Sequence, residues 1–166
     1  MFMNFLRNNV YAAGALTLLR IYLGWSWMTA GWGKVTGDFS AAGYLNGVVA
    51  NETVMNTYPT YHAFIETFAL PNAGLFSFMV AWGELLVGIG LILGVLTTAA
   101  AFFGIMMNFA FMFAGTVSTN PWMVLLTIFI LAAGYNAGKF GGDRYVLPYI
   151  NTVVFKGKFA KATEAA

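Results

Sequence analysis

The sequence predicts an all-α protein: a polytopic membrane four-helix bundle with a helical outer loop between its first two spans and both termini in the cytoplasm. Three observations predict it. Of 166 residues, 60% are hydrophobic and 8% are charged, against about 25% charged in a soluble domain. A water-facing surface cannot be built from so little charge, so lipid is the expected solvent for most of the chain. The apolar residues gather into four stretches, each close to the roughly 20 residues that cross a ~30 Å hydrocarbon core. Lys and Arg collect near the two ends of the chain, which sets the orientation.

The first span is expected at about 10–33. The second runs at about 72–96, and Pro71-Asn72 marks its start. The third covers about 97–114. It follows Gly94-Val95-Leu96-Thr97-Thr98, a charge-free tight turn that makes spans two and three antiparallel neighbours. The fourth runs at about 121–138, after a Ser118, Asn120 and Pro121 helix-start signal. Arg7 precedes span one, and Lys139, Arg144, Lys156, Lys158 and Lys161 follow span four. Loops one and three then face outward and the tight turn inward. Residues 1–150 form one domain, and 151–166 a basic cytoplasmic tail suited to the membrane surface.

Loop one, residues 34–71, is too long to be structureless in a compact domain. Its apolar residues predict two short helices, around Phe39–Val49 and Thr60–Ala69, divided at Tyr58-Pro59. Tyr44, Val48, Tyr61, Phe64, Ile65 and Phe68 then lie on the membrane surface or cap the bundle as an outer lid. His62 reads as a solvated lid residue. Arg20 interrupts the first apolar stretch where a secretory leader would need an unbroken one.

Composition also excludes function classes. There is no cysteine, which removes disulfides and thiolate metal sites, and a single histidine cannot hold a metal alone. Net charge is only +2, which argues against nucleic acid as a partner. No flavin, haem or metal motif is present.

Two charges sit inside spans. A charge at the bilayer centre costs at least about 2.5–3.5 kcal/mol, so Arg20 and Glu84 need partners, a polar cavity or a chemical role. Arg20 lies roughly 15 Å past Val10, and Glu84 roughly 18 Å past Asn72 from the opposite side, at 1.5 Å per residue. Both are thus expected at mid-depth, paired on neighbouring antiparallel spans. The pair can be a static ion pair that fixes register or a polar core site handling protons and ligand. Gly24, Trp27, Gly31 and Lys34 follow Arg20 at steps of three and four and share its face. The glycines permit close helix contact or ligand approach. Trp27 reads as bundle core or stacking platform, and Lys34 as an interfacial anchor or anion contact. Asn108 on span three can bond to Glu84 or Arg20, or glue helices together; Thr127 is a weaker candidate. Gly90-x-x-x-Gly94 and Gly134-x-x-x-Gly138 read as small-residue helix contacts.

Three stretches resemble the DoxX family of bacterial membrane proteins, including its DoxD-like branch. They are Leu19-Arg20-Ile21-Tyr22-Leu23-Gly24 with Ala30-Gly31-Trp32-Gly33-Lys34; Ala81-Trp82-Gly83-Glu84-Leu85-Leu86-Val87-Gly88 through Gly94; and Ala137-Gly138-Lys139 through Asp143-Arg144-Tyr145. The resemblance covers about residues 14–150. It implies a four-helix membrane bundle in the bacterial cytoplasmic (inner) membrane, associated with quinone-linked oxidoreductases. The DoxD-like branch includes the membrane subunit of thiosulfate:quinone oxidoreductase, which works with a small partner. Arg20, Lys34 and Glu84 fall on matching positions.

The leading functional expectation is a membrane subunit of a quinone-linked oxidoreductase. Glu84 and Arg20 would be its catalytic pair, and Trp27, Trp82, Lys34 and Asn108 would line the quinone site. Quinone is then the one cofactor, and a small or soluble oxidoreductase subunit, membrane lipid and a second copy are the partners. The alternatives are a non-catalytic scaffold that recruits a soluble redox or detoxifying enzyme, and a small transporter.

Overall fold

Asn9 starts the longest helix. Its side chain accepts from the amides of Tyr11 and Ala12, satisfying two donors that a helix start otherwise leaves without partners. In the computed structural model, which describes residues 1–153, this helix, α2, runs Val10–Thr36, after a short α1 at Phe2–Asn8. The lid follows as α3 (Ala41–Val49), α4 (Glu52–Thr57), α5 (Pro59–Phe64) and a π-helical turn at Ile65–Ala69. Then come α6 (Ala73–Leu93), α7 (Thr97–Phe113), α8 (Asn120–Ala133), α9 (Tyr135–Gly138) and α10 (Asp143–Val153). The described residues contain no strand. The expected tail falls outside them from residue 154 onward.

Helices α2 and α6 share the largest interface; α6 packs on α7, α7 on α8, and α8 back on α2, which closes the circuit. Small residues set the α2–α6 spacing. A β-carbon on Gly24 would lie 2.8 Å from the Gly88 carbonyl oxygen, and β-carbons on Gly31 and Gly88 would collide with the backbones of Leu85 and Met28. No side chain fits at these positions, so the backbones meet directly. The same contacts fix the antiparallel register: Gly31 faces Glu84 and Leu85, Met28 faces Gly88, and Gly24 faces Gly88 and Ile92.

The expected fourth span is broken. Helix α8 ends at Ala133, and Gly134, at φ 57° and ψ −129°, turns the chain into α9. A side-chain-bearing residue rarely adopts that backbone. Gly134 is therefore a break and not part of a contact stripe. Among the described residues, α6 is the one helix long and apolar enough to cross a membrane, with a mean hydropathy of 2.0; α7 and α8 are apolar but shorter.

The lid has three helices and a π turn where two helices were expected. The extra helix, α4, starts at Asn51, whose side chain accepts from the amides of Thr53 and Val54. Tyr58-Pro59 divides α4 from α5, with Pro59 in the first turn of α5. The lid has its own core, in which Leu45, Val48, Val54 and Ile65 meet Ala114 from the end of α7. His62 is buried and not solvated: its Nε2 lies 2.8 Å from the Val49 carbonyl, tying α5 to the end of α3.

Candidate functional site

The last turn of α2 carries Lys34 under the lid. Its Nζ lies 2.5 Å from Glu84 Oε2. The carboxylate side chain is 3% exposed and the lysine 26%, so the lysine stem runs from the wet rim to a buried acid. Lys34 also sits over the Phe39 ring, 5.5 Å from its centroid, a cation–π contact.

Lys34 and Glu84 form the charged floor of a cavity of about 400 Å³ between the lid and the long helices. This falls within the size range of small-molecule sites, about 300–1,000 Å³. Its walls are mainly aromatic: Phe39, Tyr44, Tyr61, Phe64, Phe76 and Phe111. Thr116, Ser118 and Asn120 add polar groups from the α7–α8 connection. The Tyr44 and Thr116 hydroxyls lie 3.0 Å apart, and the Tyr61 hydroxyl donates to the Ala110 carbonyl at 2.8 Å. Burial raises the Tyr44 hydroxyl above its ordinary value, partly offset by the bond to Thr116. Burial, then the proximity of Tyr44, pushes Tyr61 up to about 12. Both tyrosines therefore remain neutral hydrogen-bonding groups at physiological pH.

Arg20 is not at this site. In the observed register its level on α6 falls near Gly94, whereas Glu84 faces Gly31. Eleven residues of α2 separate the two levels, roughly 16 Å at 1.5 Å per residue. The expected Arg20–Glu84 pair is thus replaced by Lys34–Glu84. The depth estimate placed both spans symmetrically in the bilayer. The glycine contacts instead slide α2 so that its lid end, and not its middle, meets Glu84.

Arg20 ties helix ends together at the opposite end of the molecule. Its Nη1 donates to the carbonyls of Leu91 (2.6 Å) and Ile92 (2.7 Å), and its Nη2 to that of Phe140 (3.1 Å). The first two belong to the last turn of α6, whose carbonyls have no partner within the helix. Asp143 serves the other helix end, where its carboxylate accepts from the amides of Leu96 (2.6 Å) and Thr97 (3.0 Å) at the start of α7. A cation at a helix C-terminus and an anion at an N-terminus both match the helix dipoles. Backbone bonds from Gly142 to Leu93 and from Asp143 to Gly94 complete the clasp. Nearby, Arg7 Nε donates to Ala132 near the end of α8, and Asn136 donates to the carbonyls of Leu6 and Asn9.

The other expected site residues separate. Trp82 is 42% exposed, packs against Phe78, and does not line the cavity. Trp27 is buried in the main core and also lies outside the cavity lining. Asn108 is fully buried, yet neither its amide nitrogen nor its oxygen has a partner among the described residues. It bonds to neither Glu84 nor Arg20. The Trp27 Nε1 is likewise without a partner and faces Gly104, one turn before Asn108 on α7. Thr127 donates to the Met123 carbonyl of its own helix.

Sequence reasoning passed over Asp143, Tyr44, Tyr61 and Thr116 as site residues. The first had a signal, an acid directly after Gly141-Gly142 in a charge-poor chain. The lid tyrosines had none, because an aromatic residue in a loop reads equally well as a membrane-surface group.

The DoxX family model matches residues 15–120 of the chain, which include Arg20, Lys34, Glu84 and every residue that lines the cavity. No curated protein and no solved structure matches it.

Proposed function

The chain belongs to the DoxX family, and from that premise we propose that it is an integral membrane subunit of a quinone-linked oxidoreductase, with the quinone ring seated under the lid. The observation that carries this reading is the aromatic cavity with a Lys34–Glu84 floor. A quinone ring needs an apolar slot and hydrogen-bond donors toward its two oxygens. Six aromatic residues supply the slot. An ammonium has three donors, and Lys34 commits one to Glu84, leaving others for one quinone oxygen. The Tyr44–Thr116 hydroxyl pair stands on the cavity wall for the second.

Reduction of a bound quinone takes up two electrons and two protons. Glu84 would pass the two protons in succession from its carboxyl group to the ring oxygens, reloaded between them from water at the Lys34 rim, and Lys34 would position that carboxylate. Electrons would come from a small or soluble oxidoreductase partner. In this reading α2, α6, α7 and α8 are a four-helix bundle in the bacterial inner membrane, with the lid lying in its outer surface layer and both termini cytoplasmic. Lys34 would not serve as a contact for an anion, because its ammonium is paired with Glu84.

A scaffold that holds a soluble enzyme at the membrane is the second reading. One observation favours it: Arg20 and Asp143 are engaged in holding helix ends together, and neither lines the cavity under the lid. Gentle purification followed by native mass spectrometry and lipid extraction tests the choice. Retained quinone that is lost in Glu84→Gln and in the Glu84→Gln, Lys34→Met double variant, with thermal unfolding near that of the unsubstituted chain, supports the first reading. A co-purified redox enzyme without quinone, undisturbed by those variants, supports the second.

A further inference from the structure

The cavity under the lid has a neighbour. On the outer side of α5 an open groove of about 510 Å³ is lined by Thr57, Tyr58, Pro59, Thr60, Tyr61, Phe64 and Phe113. None of these side chains is charged. Tyr61 and Phe64, one turn apart on α5, line both the groove and the cavity and stand between the two spaces.

Tyr61 makes one side-chain hydrogen bond, to Ala110, ring contacts with Phe64 (6.3 Å) and Phe113 (5.9 Å), and packing against the edge of the lid core. Phe64 is 42% exposed and is held by ring contacts to Phe68 and Phe76. Directly after Phe64 the helix widens into the π turn at Ile65–Ala69, and Ile65 lines the cavity. Single π turns inside helices occur often at functional sites. Displacing both rings would break one side-chain hydrogen bond, from Tyr61 to Ala110.

We infer that groove and cavity are two halves of one lipid site, with Tyr61 and Phe64 as its gate. A ring seated on Lys34 and Glu84 would carry a hydrocarbon tail past the gate into the groove between α5 and Phe113. The ligand class is therefore a ring-headed lipid that enters sideways from the bilayer, and not a water-borne ring. This rests on the quinone reading for the identity of the head; the groove supplies the tail.

The test uses the full chain in lipid nanodiscs and two probes with the same ring, a decyl-tailed benzoquinone and the tail-less ring, titrated by quenching of tryptophan fluorescence. The tailed probe is expected to bind at least tenfold tighter. Thr60→Phe, which fills the exposed groove without touching the floor and adds no tryptophan to the signal, is expected to weaken the tailed probe about tenfold and leave the tail-less ring unchanged. Phe113→Asp is a second variant with the same expectation. Equal effects on both probes, or none on either, overturn the gate while the ring site stands. An independent arm labels the protein with a photoreactive fatty alcohol. Labelled peptides are expected to contain residues 57–64 or Phe113, and labelling confined to α6 overturns the groove. Binding of neither quinone, with the groove still labelled, overturns the identity of the head alone.

Discussion

Lys34 Nζ meets Glu84 Oε2 at 2.5 Å, fifty residues apart in the chain, at the one place where the lid end of α2 crosses the middle of α6. The contact places a nearly buried carboxylate against a partly wet ammonium. That asymmetry governs how the two residues respond to substitution.

Removing one partner of a buried pair leaves an uncompensated charge, at a cost of about 3–5 kcal/mol. Lys34→Met is therefore expected to lower thermal stability strongly, since it strands the buried acid. Adding Glu84→Gln to Lys34→Met is expected to restore much of the loss. A double-mutant cycle by thermal unfolding in detergent checks this, and strictly additive effects would contradict the pairing.

Arg20 is expected to act on stability and not on the ligand. Arg20→Met removes donors from Leu91, Ile92 and Phe140. Buried carbonyls left without partners cost about 1–3 kcal/mol each. Protease cleavage near 140–142 should rise, while quinone affinity at the lid end stays within twofold. A selective loss of quinone binding with unchanged proteolysis would show that Arg20 belongs to the ligand site after all.

Gly31→Ala and Gly88→Ala should both be destabilising, because the added carbon meets backbone across the α2–α6 interface. Overpacking of this kind costs about 1–3 kcal/mol. Gly14→Ala, on the same helix as Gly31 with nothing near it, is the control. It should be stabilising by up to about 1 kcal/mol through helix propensity alone. Melting temperatures in one detergent compare the three.

Alkaline pH should loosen the lid. Burial and the proximity of Tyr44 raise Tyr61 to about 12 in the fold, above an unfolded value near 10. The folded state thus holds this proton more tightly. Its contribution is fully present below the unfolded value and is lost as pH rises from about 10 to about 12. Thermal unfolding across that window should show a falling slope that Tyr61→Phe flattens.

Much of the helical framework was legible in sequence. Thr97–Phe113 was nearly complete, because a charge-free turn and an apolar run broken by a single amide, Asn108, leave no other reading. Span four was overextended, since hydropathy passes through Gly134 without recording the backbone that glycine allows there. Lid helix α4 was missed because Asn51 is a capping residue in a stretch with little periodicity. His62 looked solvated because a polar loop residue carries no sequence mark of the Val49 carbonyl it meets.

By itself the sequence determined a charge-poor helical chain, most of its helix ends, and the fact that Arg20 and Glu84 would need partners. Only the tertiary structure decided which partners they met. Pairing depends on the sliding register of α2 on α6, which Gly24, Gly31 and Gly88 set by letting backbones touch. A shift of three turns changes every facing residue yet leaves the hydrophobic pattern intact. Composition and periodicity therefore cannot distinguish an Arg20–Glu84 pair from Lys34–Glu84 at one end and a helix-capping arginine at the other.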